Sequence, residues 1–400
     1  MKQFFYILLA CIIISSCKKA IIQPTAIGAP QVPWIDSSKS HPRNAAYRKL
    51  IEKYNRLGLP GISLLVNDRY GTWIGAVGKA DIKNNIDFSP CQVSKVASIT
   101  KMMIGALVFL LMEDSVNTKI GYMDLTSKIS KWLPGSTLEQ IPNGNLVTLG
   151  QLLNHESGIP DLAEENDFYL SVLNNPNKIW SGPELLNFVK GSARVFNPGD
   201  TAIYSNTNTL LVSMILDKVA GRGHAMLLKE RVIDRLGLKN TYYHPYDNLP
   251  AFVAQGYYDL YRNHSLINVS NFMTGNGAGY NGVYSNVADL YHFLDALLIS
   301  KTLLSQSSLD IMMRTGKSDG INRYGSGLMR KFIDREPNAG WGHSGRDLGY
   351  TANLFYFPPV NGRPAVSHSL LINYGTDADS FLKETFQQFQ AELLDLTLNL

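Results

Sequence analysis

A hydroxyl and an amine stand three residues apart at the start of an apolar stretch, where Ser98 and Lys101 precede the run from Met102 to Met112. Side chains at positions i and i+3 of a helix lie on the same face. A lysine buried beside a serine can lose its proton and act as a base toward the hydroxyl. The pair therefore predicts a serine nucleophile that needs no histidine, and hence acyl-transfer chemistry.

The spacing alone does not decide this, because four Ser-x-x-Lys matches occur in the chain. Two of them, from Ser15 and Ser16, lie in a candidate targeting segment, and one, from Ser380, lies in a polar stretch near the C-terminus. Only Ser98 opens an apolar helix, which is too short to span a bilayer. The alternative at this point is that Ser98 caps that helix and that Lys101 is solvated.

Residues 1–17 have the pattern of a secretory signal, because Lys2 precedes an apolar run that ends at Ile14 and small residues follow. The ending Ile14-Ser15-Ser16-Cys17 resembles a bacterial lipobox, in which Cys17 is lipidated; an ordinary signal peptide with a chance cysteine is the alternative. Residues 18–40 then predict a flexible tether, and residues 41–398 the folded domain. We expect an exported protein, held by a lipid anchor at the periplasmic side of the bacterial cell envelope.

Composition narrows the class of partner. The net charge is +4 and no basic run is interleaved with aromatic residues, so we expect no nucleic-acid partner. The eight histidines are scattered, so neither a metal site nor another cofactor is expected. Cys91 is the one cysteine in the predicted domain, which excludes an intramolecular disulfide there and favours a packed structural cysteine over a thiol nucleophile.

Strand patterns stand at both ends of the predicted domain, with mostly helical patterns between them. The predicted strands cover 61–66, 73–77, 350–356 and 365–372, and the main predicted helices cover 45–57, 102–112, 207–219, 287–299 and 380–396. This order predicts a mixed α and β fold: an antiparallel sheet built from both chain ends and flanked by helices, with a mostly helical lobe inserted.

Two further stretches could contribute to a site. Tyr204 could move a proton at a nucleophile, and Asn206 could orient a substrate carbonyl. Three other Tyr-x-Asn matches occur, so a helix-entry tyrosine with Asn206 as the cap stays open. The small residues around His343-Ser344-Gly345 could let a substrate backbone lie along a sheet edge with N–H groups free for an oxyanion, or could simply form a tight turn.

Taken together in their order along the chain, these motifs resemble those of the serine β-lactamase and penicillin-binding-protein family, in its class C and D-alanyl-D-alanine carboxypeptidase-like branch. The resemblance extends from Tyr47 to Asn373 and rests on the ordered set more than on any one motif. Its pieces are Ser98-Ile99-Thr100-Lys101, Leu152-Leu153-Asn154-His155-Glu156-Ser157-Gly158, Pro198-Gly199 leading to Tyr204-Ser205-Asn206, and His343-Ser344-Gly345.

The resemblance implies a role for each matched position. Ser98 would be acylated, Lys101 and Tyr204 would share general-base and proton-shuttle work, and Asn206 would contact the substrate amide. His155 would be structural. The remaining substrate-binding residues would line one strand, with the backbone N–H groups of Ser98 and Arg346 as the oxyanion hole: His343, Ser344, Gly345 and Arg346.

Two positions depart from the β-lactamase pattern. His343 stands where most β-lactamases carry lysine, and histidine is largely neutral at pH 7, which disfavours strong β-lactamase activity. Arg346 lies beside the implied oxyanion hole. It could grip a substrate carboxylate in the bidentate manner that a guanidinium favours, or it could pair with Asp347 at the surface.

The expected substrates are D-amino-acid-terminated peptides, or related esters and amides. A β-lactamase or carboxylesterase of the same fold, and a penicillin-binding or cell-wall sensor lipoprotein without turnover, remain alternatives. A competing motif, Gly316-Lys317-Ser318-Asp319-Gly320, matches the nucleophile elbow of α/β-hydrolases, which requires a strand before it and a helix after it. We expect a surface loop there instead.

Overall fold

The computed structural model describes residues 21–25, 38–376 and 380–398. Its strands, numbered in chain order, are β1 (Gly61–Asp68), β2 (Gly71–Asp81), β3 (Ile86–Asp87), β4 (Ser94–Lys95), β5 (Tyr242–Tyr243), β6 (Tyr257–Tyr258), β7 (Ile267–Asn268), β8 (Val283–Ser285), β9 (Arg323–Tyr324), β10 (Met329–Lys331), β11 (Gly340–Asp347), β12 (Tyr350–Phe357) and β13 (Val366–Ile372).

The α-helices are α1 (Asn44–Arg56), α2 (Thr100–Glu113), α3 (Ser115–Thr118), α4 (Gly135–Leu138), α5 (Leu149–Leu153), α6 (Asn166–Asn174), α7 (Gly182–Leu186), α8 (Asn206–Val219), α9 (His224–Leu228), α10 (Val287–Leu294), α11 (Gln306–Met312) and α12 (Lys383–Leu398). Short 3₁₀ turns cover Ala97–Ile99, Tyr122–Thr126, Ile129–Lys131, Leu162–Glu164, Asn187–Val189 and Ile333–Arg335, and π-helical turns cover Lys229–Asp234 and Asp295–Ile299.

The two ends of the domain meet in the middle of one sheet. Eight strands form it in the order β3-β2-β1-β13-β12-β11-β10-β9, and neighbours run antiparallel. β1 from the start of the domain pairs with β13 from its end, with Ile62 opposite Ile372. The predicted fold class is thereby confirmed, and the helices from α2 to α11 form the inserted lobe.

Two apolar clusters cover the two faces of the sheet. On one face, α1 and α12 pack through side chains such as Tyr54, Phe386 and Phe389. On the other, the sheet meets the helical lobe, in which α2 is buried along its whole length up to Met112. Because α2 is apolar on every side, it lies inside the lobe, and the turn that precedes it lies where the lobe meets the sheet.

Residues 21–25 lie against the domain. Ile22 is 2% exposed and packs beside Val93 and Met273. Its backbone N–H donates to Asn271 Oδ1 at 2.7 Å, and the Thr25 hydroxyl donates to the Val253 carbonyl at 2.7 Å. The predicted signal peptide, Cys17 and most of the predicted tether lie outside the described residues. Within the described part of the chain, no helix is both long enough and apolar enough to cross a membrane.

Candidate active site

The turn that carries Ser98 is tightly constrained. Ala97, just before it, has a φ of +48°, a left-handed conformation that costs energy for a residue with a side chain. Thr100 secures the turn, because its hydroxyl donates to the Ala97 carbonyl at 2.7 Å and accepts from the Val283 N–H at 3.2 Å. Ser98 is left partly exposed at the mouth of a cavity, one turn before Lys101.

Lys101 lies directly behind Ser98. Its Nζ is 3.0 Å from Ser98 Oγ, 2.7 Å from Asn206 Oδ1 and 3.0 Å from the Tyr280 carbonyl oxygen, and the residue is 1% exposed. A neutral amine has two N–H donors and one lone pair. Since Asn206 and Tyr280 offer only acceptor oxygens, they take the two protons and leave the lone pair directed at the Ser98 hydroxyl.

The surroundings of Lys101 favour that neutral form. Burial lowers the pKa of its amine to about 7, against the opposing pull of the carboxylates of Asp161 and Asp347. At neutral pH a substantial fraction of the amine can therefore accept a proton, which is what a general base needs. The alternative in which Lys101 is solvated does not fit its burial.

Tyr204 is the second side chain that contacts Ser98 Oγ, and its ring centroid lies 5.0 Å from Lys101 Nζ. Its hydroxyl donates to Ser98 Oγ at 2.7 Å, and burial raises the pKa of the phenol well above its usual value. The tyrosine therefore stays protonated, which suits a proton donor and relay better than a base. His155 lies behind it, with ring centroids 4.6 Å apart, and accepts from the Ser205 N–H at 3.1 Å. Burial keeps the His155 pKa well below its usual value, so this ring packs as a neutral support.

Asn206 connects Lys101 to Asp161, a residue that sequence reasoning missed. The Asn206 amide donates to both carboxylate oxygens of Asp161, at 3.1 and 3.0 Å, while its Oδ1 faces Lys101. Asp161 also accepts from the Ala163 N–H at 3.0 Å, and burial raises the pKa of its carboxyl. The amide that was expected to contact substrate is therefore engaged on both sides in holding the base.

Strand β11 forms the other wall of the cavity. An added Cβ at Gly345 would lie 2.2 Å from the Val96 carbonyl oxygen, so glycine is required for the strand to approach the turn that carries Ser98. β10 pairs with β11 only at Gly340, Trp341 and Gly342, which ends that pairing before Ser344 and Arg346. The stretch that could also have been a tight turn is thus a strand whose second half borders the cavity.

His343 cannot supply a positive charge at the cavity. It is 2% exposed, its Nδ1 lies 2.6 Å from the Ser344 carbonyl oxygen, and its ring centroid is 6.0 Å from that of Tyr204. Burial, with Lys101 nearby, lowers its pKa to about 3. The ring is therefore neutral across the physiological range, and it fills the space beside Tyr204.

Arg346 lines the cavity but is largely engaged by the sheet. Its Nη1 donates to the Gly345 carbonyl at 2.6 Å and to Asn353 Oδ1 at 3.2 Å, and its guanidinium carbon lies 4.6 Å from the centre of the Phe386 ring. The alternative of a surface pair with Asp347 does not hold, because Asp347 is 6% exposed and pairs with Lys95 instead.

A buried ion pair fixes the far end of β11. Lys95 Nζ lies 2.5 Å from Asp347 Oδ2, and the Thr274 hydroxyl and the Asn281 amide also donate to this carboxylate, at distances between 2.6 and 2.7 Å. The segment that contains Thr274 and Asn281 also contains Tyr280, whose carbonyl oxygen accepts from the Lys101 amine. The ion pair therefore ties the strand to the loop that positions the base.

These groups surround a cavity of about 330 Å³. Its lining includes Ser98, Asp161, Tyr204, Asn206, His343, Ser344, Arg346 and Asp347. A larger cavity of about 460 Å³ lies in the helical lobe, but the Ser213 hydroxyl on its wall donates to the Leu210 carbonyl at 2.8 Å, and His224, which also lines it, contacts Asp217 and the Tyr243 hydroxyl instead. The reactive side chains that line the smaller cavity, and not its volume, therefore identify it as the candidate active site.

The other nucleophiles considered from sequence are placed elsewhere. Cys91 is buried, as a packed structural cysteine would be. The Ser318 hydroxyl donates to the Asn322 carbonyl at 2.8 Å within a loop that lies between α11 and β9. A nucleophile elbow needs the reverse order, a strand before the serine and a helix after it, so this serine is not one. No group of metal-ligating side chains occurs within the ranges that the structure describes.

The arrangement can perform acyl transfer in two stages. Lys101 Nζ takes the Ser98 proton as Ser98 Oγ attacks a carbonyl carbon, and the tetrahedral adduct collapses when the leaving nitrogen or oxygen receives a proton through Tyr204. Water then attacks the acyl ester with the same groups acting in reverse, which regenerates Ser98 and releases the acid. The backbone N–H groups at Ser98 and Arg346 remain the predicted oxyanion donors.

Comparison with known proteins places this geometry in a family. The model of the beta-lactamase family matches residues 47–382. The chain belongs to the beta-lactamase family. It is a serine hydrolase of that fold, as the resemblance of its motifs indicated.

Relatives of stated activity are moderately similar. The D-alanyl-D-alanine-carboxypeptidase/endopeptidase AmpH of Escherichia coli (strain K12) is 25% identical over 314 residues, which span 77% of this chain and 72% of that protein. The D-stereospecific amidohydrolase from Streptomyces sp. is 26% identical, with a TM-score of 0.72, over 86% of this chain and 97% of that one. The D-amino acid amidase from Ochrobactrum anthropi SV3 shares the fold at 23% identity, with a TM-score of 0.72, over 88% of this chain and 98% of that one.

Proposed function

We propose that this protein forms an acyl-enzyme on Ser98 and hydrolyses peptides that end in a D-amino acid, or the related amides and esters. The observation that carries the proposal is the convergence on Ser98 Oγ of the Lys101 amine at 3.0 Å and the Tyr204 hydroxyl at 2.7 Å, at the mouth of an open cavity. A hydroxyl held between a neutral amine and a phenol is prepared for attack on a carbonyl.

The preference for D-configured substrates is supported by the relatives. AmpH is named a D-alanyl-D-alanine-carboxypeptidase/endopeptidase and the Streptomyces enzyme a D-stereospecific amidohydrolase, and both are similar to this chain over most of its length. The neutral His343 disfavours the β-lactamase alternative, because a β-lactam carboxylate would meet no cation at that position. The fold itself hosts several hydrolytic activities, so the substrate has to be tested directly.

The test combines labelling with turnover. Wild type and Ser98→Ala are incubated with a fluorescent penicillin and a neutral fluorophosphonate, and intact mass is measured; hydrolysis of an N-acyl-D-Ala-D-Ala peptide, its L,L counterpart and a D-amino acid amide is followed in parallel. We expect adducts and D-specific hydrolysis that Ser98→Ala abolishes. Ser318→Ala, a serine outside the cavity, serves as the matched control and should behave as wild type.

Each alternative predicts a different result. Rapid loss of the penicillin without an accumulating adduct indicates a β-lactamase. Turnover of simple esters without any preference for D-residues indicates a carboxylesterase. A stable adduct without turnover of any substrate indicates a penicillin-binding sensor. Labelling that persists in Ser98→Ala would contradict the proposed nucleophile.

We also propose that the protein works in the cell envelope, exported and held by a lipid on Cys17. The sequence that supports this is the apolar run followed by Ile14-Ser15-Ser16-Cys17. The test is metabolic labelling with a palmitate analogue, together with fractionation of cells that express wild type or Cys17→Ala. Label and membrane association that are absent from Cys17→Ala support the anchor, and equal fractionation of the two contradicts it.

A further inference from the structure

Strand β10 brings a second lysine to the edge of the cavity. Lys331 Nζ donates to Ser344 Oγ at 2.9 Å, and Ser344 lines the cavity that Ser98 opens into. Lys331 is absent from the sequence motifs that the family resemblance rests on, and it precedes His343 on a different strand. Lys331 therefore brings a second amine from β10 to the part of β11 that borders the cavity.

The register of the sheet explains how the side chain reaches Ser344. Lys331 lies opposite Gly340 and Met329 lies opposite Gly342, so Lys331 and Ser344 project from the same face of the sheet. Gly342, the residue between Gly340 and Ser344 on that face, has no side chain. The lysine stem can therefore extend along the strand toward Ser344 without an obstacle from β11.

The hydrogen bond fixes what Ser344 can offer to a substrate. A lysine amine that donates to Ser344 Oγ occupies a lone pair of that oxygen, so the Ser344 proton is free to point elsewhere. Ser344 thus presents a donor to the cavity, polarised by a cation behind it. Such a donor suits a carboxylate better than a neutral amide, because hydrogen bonds to charged groups are the stronger ones.

The surroundings of Lys331 disfavour the charged form of its amine. Burial lowers the pKa of its amine to about 7, Arg346 on β11 adds repulsion, and the Asp319 carboxylate opposes the decrease. The Phe332 ring lies 5.8 Å from the amine, and His343 nearby is neutral. A carboxylate bound at Ser344 would offset this repulsion and favour the charged lysine.

We propose that Lys331, acting through the Ser344 hydroxyl, makes the enzyme select substrates whose leaving residue carries a free carboxylate. This inference rests on the proposed function and identifies Lys331 as a positioning residue of that same site. It supplies from β10 the cation that His343 does not provide on β11. By this proposal, the part of β11 that borders the cavity binds the C-terminal carboxylate of a peptide in preference to the carboxamide of an amino acid amide.

The experiment compares two substrates that differ only in charge: an N-acyl-D-Ala-D-Ala peptide and the same peptide with a C-terminal amide. Lys331→Met should raise KM for the acid about tenfold or more and leave the amide nearly unchanged. Lys331→Arg, which keeps a cation, should restore much of the preference. Arg330→Met, on the opposite face of the same strand and paired with Glu336, is the matched control and should keep the wild-type preference.

The pH dependence gives a second readout. The ratio of kcat/KM for the acid to that for the amide cancels the shared titration of Lys101, so the ratio should fall as pH rises past the pKa of Lys331 and should become flat in Lys331→Met. Equal changes for both substrates, or none, would overturn the proposal. For a protein without turnover, the acylation rates by benzylpenicillin and by a neutral fluorophosphonate replace the two peptides. A wild type that neither turns over nor is labelled rejects the proposed function and this proposal together.

Discussion

Lys101 and Asn206 form the closest polar contact of the base, with Nζ and Oδ1 2.7 Å apart. Because the other end of this amide donates to Asp161, the orientation of Asn206 is fixed by a carboxylate. The base is therefore held by a relay of two residues, one at the start of α8 and one that caps the 3₁₀ turn Leu162–Glu164.

The activity should rise with pH through neutrality. Lys101 has a pKa lowered to about 7, so the amine is protonated and inactive as a base below that pH and neutral above it. We expect kcat/KM for a neutral ester to increase about tenfold per pH unit on the acidic side and to level off above about pH 7 to 8. A profile measured in buffers of constant ionic strength checks this, and a decline through the same range would contradict it.

Asp161→Asn should move that acidic limb. The Asp161 carboxylate favours the charged form of Lys101, so its removal should lower the Lys101 pKa further and shift the limb to lower pH by about one unit. The substituted amide keeps an oxygen that can accept from Asn206. The full pH profile of the variant is the measurement. A loss of activity with an unshifted limb would mean that Asp161 acts only as a support.

Tyr204→Phe should slow acylation by a factor of about 10² to 10⁴, because it removes a proton relay while the ring keeps its packing on His155. Burst kinetics with a chromogenic ester would separate the acylation rate from the deacylation rate. Tyr261 shares the Tyr-x-Asn spacing but is 69% exposed, so Tyr261→Phe is a matched control that should leave both rates unchanged.

Gly345→Ala should move strand β11 away from Ser98. The added methyl group would lie 2.2 Å from the Val96 carbonyl oxygen, so β11 or the Ser98 turn must move. We expect a fall in kcat/KM of at least about tenfold and a loss of about 1–3 kcal/mol in the free energy of unfolding. Gly135→Ala, where the nearest atom is 3.5 Å away on a flexible glutamate, is the control. Wild-type activity in Gly345→Ala would contradict the close approach.

Lys95→Met tests the buried ion pair. Removing one partner leaves the Asp347 charge buried, which should cost about 3–5 kcal/mol of unfolding free energy. Lys79 and Asp87 form an ion pair of the same 2.5 Å length at the surface, so Lys79→Met should cost less than about 1 kcal/mol. Chemical denaturation of both variants makes the comparison. Similar losses would show that burial does not decide the strength of these pairs.

Local patterns were sufficient for much of the fold. The predicted strands at 61–66 and 73–77 lie within β1 and β2, and the predicted helix at 102–112 lies within α2. The glycines of 340–345 obscured β11, because glycine is unfavourable in an isolated strand. Only the close approach to Val96 explains why Gly345 is needed there.

The contacts that complete the site could not be read from spacing. Tyr280 holds Lys101 with a backbone carbonyl, which any residue provides, so no side-chain pattern marks it. Asp161 lines the cavity and Lys331 contacts its wall at Ser344, both from segments far from Ser98 in the chain, and only the folded topology brings them close. For Arg346 the strand alternation places the side chain on the face opposite His343, toward Phe386, once β11 is recognised as a strand.

The pairing of β1 with β13 has a consequence for biosynthesis. These two central strands are separated by roughly three hundred residues, so the sheet closes late and only after a long loop has been ordered. A nascent chain that stops before Val366 has no partner for one edge of β1 or of β12, and β11 has no complete sheet to hold it against Ser98. The nucleophile is therefore assembled only when the whole domain has emerged, and truncated chains would carry the catalytic motifs without the activity.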